Sequence, residues 1–139
     1  MLSEPIQVDL GGQAYKCCYL TQKIQGDWER WVERHELGLL RESQAELTID
    51  EFDRALSTHR FKSKNHGYEL GTSENERWMR TKEGFKYLMW QCFTQAGSAV
   101  LEDEMAALID GHPAEFKELW GQLVEEYLDS IGKKEIPGS

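Results

Sequence analysis

Proline and cysteine are both scarce, with three residues of each in a chain of 139. So few prolines leave long stretches in which a helix can run without losing an amide donor. Two of the cysteines are adjacent, Cys17 and Cys18, and the third, Cys92, stands far away. This is neither a disulfide framework nor a zinc-loop spacing, and it fits a reducing compartment. No stretch approaches the roughly 18 apolar residues of a membrane span. The opening Met1-Leu2-Ser3-Glu4 lacks the basic segment and apolar run of a secretory signal. Positive charge is also in deficit: 16 lysines and arginines face 25 acidic residues, for a formal charge of -9. That balance works against unspecific attraction to nucleic-acid phosphates. Together these absences give the expectation of a soluble, cytoplasmic protein.

The chain has enough nonpolar material to fold. Its 40% hydrophobic content includes five tryptophans, which argues against a wholly disordered chain. The length suits one domain, assigned to residues 1–131, followed by a flexible tail over 132–139. Charge is unevenly spread. Residues 54–86 carry eight basic and four acidic side chains, whereas residues 97–131 carry nine acidic side chains and one lysine. A basic middle between acidic ends either balances internally or presents separate binding faces.

Periodicity predicts a mainly α domain with a small N-terminal β-hairpin, an α+β arrangement being the alternative. Ile6, Val8 and Leu10 alternate with Gln7 and Asp9 before Gly11-Gly12, so a hairpin is expected over about 5–20. Ile24, Trp28, Trp31, Val32, His35 and Leu39 follow the helical period, with Gly38 as a candidate stop. Thr48 and Glu51 have capping-box spacing before Ile49, Phe52, Ala55, Leu56 and His59, read as the buried stripe of a second helix ending near Arg60. Residues 61–80 look irregular: an exposed turn over 62–67, Tyr68 and Leu70 pinning the loop to the core, and a short helical turn near 74–79. A third helix follows with Phe85, Leu88, Met89, Cys92 and Phe93, and a fourth with Leu101, Met105, Leu108 and Ile109. After Gly111-His112, Pro113 suits the first turn of a last amphipathic helix, since its missing amide hydrogen has no partner there in any case. That helix is lined by Phe116, Leu119, Trp120, Leu123, Val124, Tyr127, Leu128 and Ile131, and is expected to end at Gly132.

No catalytic set stands out, and neither a cofactor nor a metal is expected. His35, His59, His66 and His112 form no metal-loop pair with each other or with cysteine, and packing or capping accounts for them. Cys92 lies within a core stripe, where a small apolar residue is wanted. Glu102-Asp103-Glu104 favours a helix start rather than a cleft that holds two carboxylates apart. The basic stretch with Phe61, Tyr68 and Trp78 has the makings of a phosphate surface. Its acidic flanks favour compensation within the fold or an acidic protein partner instead. Trp28, Trp31 and Trp120 fall on core stripes. Trp78 and Trp90, with Tyr87, are harder to place internally, and large aromatics concentrate contact energy at interfaces.

Three segments carry a family resemblance: PIQVDLGGQAYKCCYLT at 5–21, YELGTSENERWMRTKEGFKYLMWQCF at 68–93, and LIDGHPAEFKELWGQLVEEYL at 108–128. In order and character they resemble the small tail-assembly chaperones and related morphogenesis proteins of long-tailed bacteriophages and prophages. The resemblance implies a helical, nonenzymatic protein in the host cytoplasm, oligomeric, binding the coiled-coil-prone tape measure protein. Trp78, Tyr87 and Trp90 are the expected apolar contacts, while Glu118 and Glu125 keep the complex soluble or select a basic partner. A structural phage adaptor that stays in the particle and a small cytoplasmic enzyme are the alternatives. The adaptor is told apart by its presence in finished particles. The enzyme needs a pocket in which His59, His66 or a cysteine meets carboxylates.

Overall fold

The structure is a computed structural model and describes residues 4–135, with side chains through 131. A two-stranded antiparallel hairpin, β1 (Ile6–Leu10) and β2 (Gln13–Cys17), precedes six helices: α1 (Gln22–Glu42), α2 (Ile49–Lys64), α3 (Ser73–Met79), α4 (Lys82–Gln95), α5 (Glu102–Gly111) and α6 (Pro113–Glu135). A 3-10 turn at Gln44–Glu46 joins α1 to α2. The mainly α fold with a small hairpin is thus the one expected from periodicity. Among the described residues, no helix is long and apolar enough to cross a membrane.

The chain forms two compact units. The first joins residues 1–21 with 82–139 and holds the hairpin, α4, α5 and α6; the second is the continuous stretch 22–81 with α1, α2 and α3. In the first unit Gly11 and Gly12 take φ of 60° and 83°, which supplies the tight reversal between strands paired Ile6 to Cys17 and Leu10 to Gln13. Two strands alone are marginal. The hairpin is tied to α4 and the turn after it: the Cys18 amide donates to the Cys92 carbonyl at 2.9 Å, and the Ser98 hydroxyl bonds both the amide and the carbonyl of Lys16 at 2.9 Å. Phe93 stacks on Phe116 at 5.9 Å and leans on Tyr15 at 5.8 Å. Leu88, Met89, Met105, Leu119 and Leu123 are buried with them. The last helix continues through Glu135, past the Gly132 at which a tail was expected; the rest of that tail, 136–139, lies outside the described residues.

The second unit hangs on α1, which buries Ile24, Trp28, Trp31 and Val32 at helical spacing. Gly38 does not stop the helix, which runs to Glu42. Within this unit the Trp28 indole donates to Asn75 Oδ1 at 2.7 Å, and Asn75 Nδ2 donates to the Tyr68 carbonyl at 2.9 Å. Those two bonds fasten α1, α3 and the segment before α3 through one fully buried amide. Tyr68 is buried, as expected of a residue pinning that segment. The capping box of α2 is formed: Thr48 Oγ1 accepts from the Glu51 amide at 3.1 Å, and the Thr48 amide donates to Glu51 Oε1 at 2.9 Å. Hydrogen bonding to Thr48 also holds the Glu51 carboxyl below its usual range.

Candidate functional site

The expected burial of the α2 stripe does not occur. Ile49, Phe52, Ala55, Leu56 and His59 lie on the helix as its period requires, but none is buried. Phe52, Leu56 and His59 are half-covered, and Ile49, one turn before Phe52 on the same face, is 81% exposed. The helix also continues past Arg60 to Lys64, so Lys62, Ser63 and Lys64 belong to it and not to an exposed turn. Lys62 is half-buried and paired with Glu74 at 2.7 Å.

Between α1 and α2 this leaves an open groove of about 590 Å³. Leu37, Phe52 and Leu56 supply its apolar floor, and Arg41, Arg60 and Lys64 its charged rim. No carboxylate lines it, and none of those three cations has an ion-pair partner among the described residues. His59 closes one wall. Its Nδ1 lies 2.8 Å from the Tyr68 hydroxyl, and burial holds the imidazole below its usual range, opposed by Glu36 and assisted by Arg60 and Lys62. The groove is thus a half-covered apolar strip with a positive edge.

The five residues expected to contact a partner lie elsewhere. Trp78, in the second unit, sits half-buried, edge-on to Trp31 at 5.4 Å, with its indole N–H donating to Glu36 Oε1 at 3.1 Å. The first unit contains the other four. Trp90 is half-buried, donates to the Val100 carbonyl at 2.9 Å and leans on Tyr87 at 6.0 Å. Glu118 and Glu125 are exposed on α6. None of the five lines the groove. The signal that could have found it was the isolation of the α2 stripe: a helix with a one-sided apolar face, flanked by segments offering few large apolar residues to cover it.

No family model matches the chain, and no curated protein or solved structure matches it significantly. Cys17 and Cys92 are both buried, and the influence of the Cys17 side chain, with burial, pushes the Cys92 thiol well above its usual range. A thiol held in its neutral form is a poor nucleophile. Glu29, His66 and Glu69 place ligand atoms within 4.8 Å of one another, a grouping hidden from sequence spacing because Glu29 stands far from the other two. Imidazole with two carboxylates is a donor set a divalent transition metal accepts. Yet His66 is 72% exposed, and its Nδ1 already lies 3.2 Å from Glu29 Oε2, the geometry of a surface ion pair when the imidazole is protonated.

Proposed function

We propose that this chain is a nonenzymatic protein-binding chaperone that holds an amphipathic helix of its client in the groove between α1 and α2. The observation that carries the reading is that α2, an amphipathic helix of 16 residues, has no buried residue. Helix-in-groove recognition covers such a stripe with apolar side chains at three- and four-residue spacing. Burying a large apolar side chain completely is worth about 1.5–3 kcal/mol. A few half-covered ones, set against association costs of about 4–15 kcal/mol, support reversible binding rather than a permanent complex. Release is what a chaperone requires. Under the tail-assembly resemblance the client is the tape measure protein, whose apolar stripes need cover until assembly, and the host cytoplasm is where this happens.

Co-purification from the producing cell, with the full chain and with Leu56→Ser, tests the reading. A client rich in long helices should accompany the unaltered chain and be lost from the variant, while circular dichroism of the two proteins coincides. Retention of the client by Leu56→Ser at full yield, or the absence of any client from the folded chain, would reject the groove as the site. Recovery of the chain in finished particles would reject a chaperone in favour of a structural component.

A further inference from the structure

We infer that the segment the groove accepts is an acidic amphipathic helix, with Glu or Asp flanking its apolar stripe; this rests on the helix-capture reading. The sign of the charge comes from the rim. Arg41 projects from the last turn of α1, and Arg60 and Lys64 stand four residues apart on one ridge of α2, all three exposed. In a chain of net charge -9, three cations without a carboxylate partner at one groove are a local reversal of the prevailing field. Elsewhere in this unit Lys23, Arg30, Lys62 and Arg77 are paired with Asp27, Glu74 and Glu36, while Arg34, Arg54 and Arg80 have no ion-pair partner among the described residues. What sets the groove apart is that its three unpaired cations edge one apolar cleft whose lining includes no carboxylate.

The chemistry of the rim agrees with carboxylates as its targets. Guanidinium groups grip a carboxylate through two parallel hydrogen bonds, which fixes orientation as well as charge. A helix carrying carboxylates beside its apolar stripe meets Arg41 on one wall and Arg60 with Lys64 on the other, while its leucine or phenylalanine side chains complete the cover of Leu37, Phe52 and Leu56. A helix with lysines in those places meets like charge at every rim position. Discrimination then comes as much from rejecting the basic helix as from holding the acidic one. The acidic remainder of the chain sharpens this: an acidic segment is repelled over most of the surface and accepted at the groove.

The test uses three synthetic peptides of one helical length and one leucine stripe, flanked by glutamate, by lysine, or by glutamate with the stripe changed to serine. Binding to the full chain is read by fluorescence anisotropy at low and high salt. The glutamate peptide is expected to bind at least about tenfold more tightly than the lysine peptide, since exposed pairs each shift affinity by a factor of roughly two to five and three are present. That preference should shrink as salt screens the rim. The serine-stripe peptide should not bind. In Arg41→Glu/Arg60→Glu/Lys64→Glu, whose altered side chains are exposed, the preference should invert, and an unchanged circular dichroism spectrum confirms the fold. Equal or tighter binding of the lysine peptide to the unaltered chain overturns the acidic-helix inference while leaving helix capture standing. Failure of both leucine-stripe peptides to bind overturns helix capture with it.

Discussion

Asn75 is the residue on which the second unit turns, and nothing in the pattern around it announces that. It occupies the first turn of a seven-residue helix where a polar side chain usually faces water, yet it is fully buried, spending its amide on Trp28 and the Tyr68 carbonyl. A buried polar group is tolerated when its bonds are made and costly when they are broken. Asn75→Leu keeps the bulk, removes the acceptor of the Trp28 indole N–H and the donor to the Tyr68 carbonyl, and should lower stability by about 2–6 kcal/mol, each of the two bonds lost costing about 1–3 kcal/mol. Urea unfolding followed by tryptophan fluorescence checks this, because Trp28 stacks on Trp31 at 5.0 Å in the same cluster. A midpoint within error of the unaltered protein would show that the two bonds are incidental. The cysteines make the complementary case: Cys92 was legible as a core residue from its stripe, but its meeting with Cys17 depends on the path of the chain, which no local spacing encodes.

Elements were legible where a residue has one local job. Gly11-Gly12 reverses the hairpin, Thr48 with Glu51 caps α2, and Pro113 opens α6, each where elementary chemistry puts it. Helix ends were less so, because Gly38 only weakens a helix and tertiary packing carries α1 past it. The α2 stripe was expected to be buried and is not, because periodicity says which face of α2 is apolar but not whether another element lies on that face. What holds α2 to the segment after it includes the His59–Tyr68 hydrogen bond, and this gives the element a pH dependence. Burial keeps the His59 imidazole below its ordinary 6.5, so the unfolded chain binds more protons as pH falls through that value, and stability declines below it. Burial, with the negative charges of Glu36, Glu74 and Glu33, pushes the Tyr68 hydroxyl up to about 12 from 10.0. The folded chain then holds a proton that the unfolded chain has released, and stability falls as pH rises from about 10 toward about 12. These two groups alone would give a plateau between about 6.5 and 10; the Cys92 thiol, also pushed up on folding, starts a further decline near 9.0, and Tyr68→Phe should lessen the part of the alkaline decline that lies above about 10. Urea midpoints measured across pH for both proteins decide it; parallel alkaline limbs would place the loss on other groups.

At the scale of the whole molecule, the second unit is one continuous stretch of residues 22–81, while the first must bring residues up to Thr21 together with residues from Lys82 onward. That difference ranks their formation. Closing a loop of about 60 residues costs roughly 4 kcal/mol of chain entropy before any contact of the first unit rewards it. Pairings inside the second unit span shorter distances along the chain and are less burdened. The hairpin can close locally, but as two strands it is marginal until α4 and the turn after it accept it through Cys92 and Ser98. Refolding followed by pulsed hydrogen exchange on the full chain should therefore show amides of α1 around Trp28 to Val32 protected in an earlier phase than those of β1 and β2. Ser98→Ala, which removes the hydroxyl bonding both backbone groups of Lys16, should slow protection of the strands without delaying α1. If strands and α1 gain protection together in both proteins, the two units fold as one cooperative body and the entropy of the intervening loop is not what orders them.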